Sequence, residues 1–181
     1  STMQVGERIE RNADPTLLRG EGSFIDDIDL PGALHGAFAR STLARAKIKS
    51  VDTSAAEALE GVVTVYTCDN IGDLDVELPL LIPHPDLTHP KTQRPLARDD
   101  VYYVGQCIAM VIAVDRYVAE DAVRLINIDY EPLPVEMDIE KAGKPGAPLV
   151  HPDVPNNIAG NCLVETGDAA DAFARAEHIT K

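Results

Sequence analysis

The chain has 181 residues, 45% of them hydrophobic, enough for one domain or for one domain with a piece of another. Thirty acidic residues against sixteen Lys and Arg give a net charge of −14, a surface that a nucleic-acid duplex or an anionic membrane would repel. No run reaches the ~18 apolar residues of a membrane span, no signal peptide opens the sequence, and Cys68, Cys107 and Cys162 lack the CxxC spacing of zinc ribbons and cysteine-ligated clusters. These features together fit a reducing cytoplasm.

With no Trp and only 4% aromatics, the core must be aliphatic. Residues 1–16 are polar and read as an extended arm. "GSFIDDIDLPG" is turn-rich and closes on Pro31-Gly32. "ALHGAFAR" and "AKIKSVD" follow as strands; in the second, Ala46, Ile48 and Ser50 alternate with Lys47 and Lys49 at the period of a half-buried strand. Ser54 to Glu57 has the spacing of a capping box opening a short helix, Gly61 suits its C-terminal end, and "VVTVY" reads as a buried strand. From Leu74 to Asp100, Pro79, Pro83, Pro85, Pro90 and Pro95 forbid a central strand or a long helix. The apolar "LPLLIP" in that segment argues for an ordered loop that packs against something.

"VYYVG" and "CIAMVIAVD" then predict two strands joined at Gly105-Gln106. A hairpin turn there fits the positive φ that glycine tolerates, and a ligand-facing Gln106 is the alternative. Cys107 falls in the apolar strand pattern and suits a small core position, and the uninterrupted "CIAMVIAV" predicts a central strand. Asp115 is placed to cap a helix with Val118, Ala122 and Leu125 on one face, and "NIDYEPL" is a further strand stopped by prolines. The order is β-β-α-β, long loop, β-β-α-β. "KAGKPGAPLVHPDVPNN" reads as a surface linker. "NCLVETG" and "DAADAFARA" read as a strand and a helix, and "EHITK" as the opening of another strand, as in a truncated next domain.

Few residues invite a chemical assignment. Gly20-Glu-Gly22 lacks the third glycine of a dinucleotide fingerprint, and no phosphate-binding GxxxxGK[ST] occurs. His84, Asp86 and His89 share the proline-rich loop, but no helix sets their spacing, so they read as a solvated loop rather than a metal site. Asp26-Asp27 and Asp99-Asp100 sit at turns, where capping explains them better than acid–base catalysis.

Several long blocks nevertheless resemble one family in one order. "VGERIERNADPTLLRGEGSFIDDIDLPGALHGAFARS", "AKIKSVDTSAAEALEGVVTVYT" and "PLARDDVYYVGQCIAMVIAVDRYVAEDAVRLINIDYEPLPVEMD" are similar to the N-terminal part of the large, molybdenum-carrying subunit of the xanthine dehydrogenase, aldehyde oxidase and carbon monoxide dehydrogenase family, with the carbon monoxide dehydrogenase-like branch the better likeness. The resemblance implies an α+β fold, the α/β hammerhead, with mixed β-sheets, a few short helices and one long proline-rich loop. It also implies a division into an arm (1–16), the hammerhead domain (17–139), and a linker with the truncated start of a molybdopterin-binding domain (140–181).

By the same resemblance the complete protein is a molybdenum hydroxylase, an oxidoreductase that oxidises a substrate carbon. Molybdopterin takes the electrons and passes them to iron-sulfur clusters and FAD on partner chains or domains. This segment is then a scaffold and a wall of the substrate passage, with Leu78, Leu80, Leu81, Ile82 and Gln106 as candidate passage or interface residues. The family's molybdenum loops are glycine-rich and come later, and this chain contains no Gly-Gly pair. No catalytic, cofactor-binding or metal-binding residue therefore carries over. Where the family usually carries histidines between Ser41 and Ile48, this chain has Leu43 and Arg45. A stand-alone protein- or ligand-binding module is the competing reading.

Overall fold

In a computed structural model, which describes residue 6 and residues 9–180, the chain divides into two compact units, one ending at Ala33 and the other beginning at Leu34. Within the first unit, α1 (Asp14–Leu18) carries its proline in the first turn, where the missing N–H costs nothing. The arm is therefore helical, not extended, over its last residues; positions 1–5, 7 and 8 lie outside the described residues. A 3-10 turn at Ile25–Asp27 closes on Phe24, whose N–H donates to the Asp27 carboxylate at 2.9 Å.

The second unit holds two three-stranded sheets. The first has the order β1-β5-β3, from β1 (His35–Arg40), β5 (Cys107–Ala113) and β3 (Val62–Thr67). The second has the order β4-β2-β6, from β4 (Asp100–Val101), β2 (Ala46–Asp52) and β6 (Asn127–Pro132). The α+β class holds, as does the order of elements. Every pairing is antiparallel, however, so the sheets are not mixed. The chain leaves the first sheet after β1, visits the second, and returns in the same direction as β3; β5 then inserts between them, running opposite to both.

β5 is the central strand that its unbroken apolar run predicts. Ala109 and Val111 enter one core with Ala39, Ala56, Val65 and Ala122, while Ile108 enters a second with Ala46, Ala97 and Val101. Ile128 packs against both cores. Most of these residues are alanines, which lets α3 (Arg116–Leu125) lie close on the first sheet. Asp115 caps α3 by accepting from the Val118 N–H at 2.9 Å. The helix buries Ala119 and Ala122, with Val123 and Ile126 packed beside them, and Leu125 falls outside the buried face.

Other local readings need correction. Lys49 is an extra residue in a bulge between Ile48 and Ser50, so the side-chain alternation slips: Ser50 is exposed and Val51 turns inward. The helix α2 (Ser54–Glu57) has Thr53 as its N-cap residue, and the Asp52 carboxylate takes the Ser54 N–H and hydroxyl in place of a capping box. Gly61 does adopt positive φ after it. β3 is only half-buried, with Val65 its one fully buried residue. Of "VYYVG" only Val101 joins a strand, the two-residue β4.

The expected linker is packed as well as turned. After α4 (Ile139–Ala142), the Asn157 side-chain amide donates to the Ala142 and Pro148 carbonyls and its oxygen accepts from Val150 N–H, while Val154 is buried. "NCLVETG" pairs with no strand and stays exposed, as expected of an edge with no partner, and the described part of "EHITK" is irregular. The helix α5 (Ala169–Arg175) forms, capped by Asp168.

Amide exchange should be slowest across Ile108–Ala113 and fast across Leu81–Thr92. Ile108→Ala should cost about 2–5 kcal/mol in chemical unfolding, as truncation of a fully buried aliphatic side chain does.

Candidate functional site

The turn that joins the two sheets is built around Gly105 and Gln106. β4 and β5 belong to different sheets, so this is a crossing and not a hairpin. Gly105 sits at φ +95°, a conformation that glycine adopts without strain. Ser41 is clamped across the turn: its N–H donates to the Gln106 carbonyl and its carbonyl accepts from Gly105 N–H, both at 2.8 Å. Arg40 donates to the Gly105 carbonyl at 2.9 Å and reaches the Cys107 sulfur, which is half-buried. Gln106 is 3% exposed, and its side-chain oxygen accepts from Tyr102 N–H at 2.7 Å. The carboxamide thus holds the turn, and Gln106 borders the adjoining cleft without offering that oxygen to it.

This cleft, of about 200 Å³, lies between the proline-rich loop and the 151–153 segment. Several charges in or beside it are already matched. Arg45, 7% exposed, donates to the Asp100 carboxylate at 2.8 Å and lies 4.7 Å from the centre of the Tyr102 ring. His151 packs on the same tyrosine, ring centres 4.5 Å apart. Burial, with Lys91 nearby, holds His151 below its ordinary pKa; burial, with Asp100 nearby, pushes the Tyr102 hydroxyl up. Lys91 pairs with Asp153, and that bond raises the lysine and lowers the carboxylate.

Asp75 ties the two ends of the long loop together. Arg98 donates to it through Nε at 2.8 Å and also reaches the Cys68 carbonyl at 2.9 Å, while Arg94 bonds the Asp75 carbonyl. The Arg98 hydrogen bond, with help from Arg94, keeps the Asp75 carboxyl below its ordinary 3.8. Leu78 N–H donates to the Gln93 carbonyl, and Tyr103 bonds the Gln93 side chain. Midway, His89 N–H donates to the Ala159 carbonyl at 2.9 Å.

So fixed, the loop presents its apolar tip outward. Leu81 is 91% and Ile82 75% exposed, with Leu78 and Leu80 at its base partly covered. The four apolar candidates named from the sequence form one stretch, and Gln106 lies apart from it with a structural task. Sequence reasoning missed the pairs Arg45–Asp100, Arg98–Asp75 and Lys91–Asp153, because partners tens of residues apart leave no local pattern. Leu43 packs against the second core, and Arg45 is the buried cation. Of the loop's titratable side chains, the structure gathers His84 and Asp86 with Cys162; His89 does not join them.

Residues 19–134 match the family described as aldehyde oxidase and xanthine dehydrogenase, a/b hammerhead domain. The carbon monoxide dehydrogenase large chain of Afipia carboxidovorans is 41% identical over 98% of this chain, and the nicotine 6-hydroxylase large subunit of Paenarthrobacter nicotinovorans 35% over 97%. This chain spans 23% and 21% of the length of those two proteins. Among solved structures, the aldehyde oxidoreductase of Desulfovibrio gigas superposes with a TM-score of 0.76 at 28% identity, covering 93% of this chain and 19% of that one. A Cu,Mo-containing CO dehydrogenase superposes at 0.70 with 39% identity, covering 96% and 23%.

Two outcomes follow for the site. Gln106→Leu leaves the Tyr102 N–H unpaired and should lower unfolding free energy by about 1–3 kcal/mol. Asp75 has a depressed folded pKa, so its contribution is full above the ordinary carboxylate value and is lost as pH falls through the depressed one. Urea midpoints followed into acid should therefore fall less steeply for Asp75→Asn than for the parent chain.

Proposed function

Because the chain belongs to the aldehyde oxidase and xanthine dehydrogenase hammerhead family, we propose that it is the N-terminal scaffold of a molybdenum hydroxylase large subunit. In this reading residues 17–139 form the hammerhead and 140–181 lead toward the molybdopterin-binding domains. The scaffold packs on those domains and helps wall the passage by which substrate reaches the cofactor. Iron-sulfur clusters and FAD on partner chains or domains complete the electron path. Three free thiols, Cys68, Cys107 and Cys162, suit a cytoplasmic location.

The observation that carries this reading is the loop tip. Leu81 and Ile82 stand in water although both ends of the loop are tied down. Apolar surface gains roughly 25 cal/mol per Å² when covered, so a loop held in this position favours a partner surface against it. The described residues of the cleft do not suit molybdopterin. The cleft cations that could take a pyrophosphate, Lys91, Arg94 and Arg98, are already engaged by Asp153 and Asp75. The cofactor is accordingly assigned to other parts of the subunit, and this chain's task is shape and support.

Replacing Leu81 and Ile82 together with Ser separates interface from core. In this chain alone the pair of changes should leave the melting temperature in place. In the complete subunit it should lower cofactor occupancy or raise KM for substrate. A loss of ~2 kcal/mol or more in the isolated chain would assign the loop to its own core instead.

A further inference from the structure

The cluster of His84, Asp86 and Cys162 lies outside the cleft and is independent of the scaffold reading. Pro83 and Pro85 flank His84 and restrict the backbone on both sides. Leu87 N–H donates to the His84 carbonyl at 3.0 Å, closing a turn that sets the two side chains together. Asp86 N–H donates to His84 Nδ1 at 3.2 Å, and an Asp86 carboxylate oxygen lies 3.7 Å from the same nitrogen. Nδ1 thus accepts from the Asp86 N–H with its lone pair, and a cation bound there would take that lone pair over.

Cys162 arrives from a segment seventy-odd residues later, and its delivery is specific. His89 N–H holds the Ala159 carbonyl, and Gly160 then passes directly over the Asp86 backbone. A Cβ built on Gly160 would lie 2.2 Å from the Asp86 carbonyl oxygen, so only glycine allows this approach. Two residues on, Cys162 completes a set of nitrogen, oxygen and sulfur donors all within 4.8 Å of one another. Asp75, Asp100 and Asp153 each have an Arg or Lys partner, whereas among the described residues Asp86 is paired only with His84.

We propose that His84, Asp86 and Cys162 bind a divalent cation of the zinc class. Imidazole, carboxylate and thiolate together suit a borderline-soft ion, whose bonds of roughly 2.0–2.3 Å draw tetrahedral donors to about 3.5 Å apart. The present spacing reaches that with a small contraction of exposed side chains. Binding replaces the Cys162 thiol proton, which passes to solvent, and water fills the fourth position. The ion would tie the proline-rich loop to the 158–162 segment beyond the bonds that His89 N–H and the Thr88 hydroxyl now make to the Ala159 carbonyl.

Cobalt(II) is the probe, because it reports its own ligands. Titrating it into the chain should give one equivalent bound, with a near-ultraviolet thiolate charge-transfer band and tetrahedral visible bands, and zinc should displace it. Cys162→Ser should abolish the charge-transfer band. His84→Ala and Asp86→Asn should weaken binding by about tenfold or more, at least the loss seen when even an outer-shell partner is removed. Cys68→Ser, Cys107→Ser and His89→Ala should leave it unchanged. The proposal is overturned if no thiolate band forms, if the band survives Cys162→Ser, or if His84→Ala and Asp86→Asn bind as the parent does.

Discussion

Strand β5 is fully buried along one face from Ala109 to Ala113 and at Ile108 on the other, and the second unit is arranged around that fact. Its odd positions Ala109, Val111 and Ala113 face the helical side of the first sheet, and Ile108 on the other face enters the second core. One strand thereby joins two hydrophobic clusters that would each be small alone. Alanine at Ala39, Ala56, Ala109, Ala119 and Ala122 sets the close distance between sheet and helices in a chain with no tryptophan. The stability of this frame rests on closeness of packing more than on bulk, so enlarging any of these alanines would strain it.

The second constraint is electrostatic. A long loop between two sheets would ordinarily be free to move, but Asp75, Arg94 and Arg98 close its base, and Lys91–Asp153 and the His89–Ala159 bond hold its return. The Asp75 carboxylate is largely covered, where its pairs retain more of their strength than exposed pairs do, whereas Asp153 is exposed. The loop is thus a fixed surface with an apolar tip, which suits support of a neighbouring domain better than capture of a ligand.

The same frame accommodates a buried cation. Arg45 enters a position between Asp100 and Tyr102 where a cation finds a carboxylate and an aromatic face together. Its partner Asp100 lies in β4, so the buried pair also fixes the strand that precedes the Gly105-Gln106 turn. Gln106 then gives its side-chain oxygen to that turn, and one set of polar contacts runs from the edge of the second sheet into the first.

Where local chemistry decides, the residues alone were enough. Unbroken apolarity marked β5, Asp115 marked the start of α3, the prolines marked the long loop, and long blocks in one order marked the family. What depended on partners far along the chain was not legible. The bulge at Lys49 comes from pairing with β6, and β4 and β5 separate into different sheets because each finds a different neighbour. "NCLVETG" has the composition of a strand but no edge to join. The approach of Gly160 to Asp86, which brings Cys162 beside His84, is a contact between distant segments that no local pattern in the sequence encodes. Short-range propensity and capping are carried by neighbouring residues, whereas register, sheet membership and side-chain clustering arise only when the folded chain brings remote groups within bonding distance.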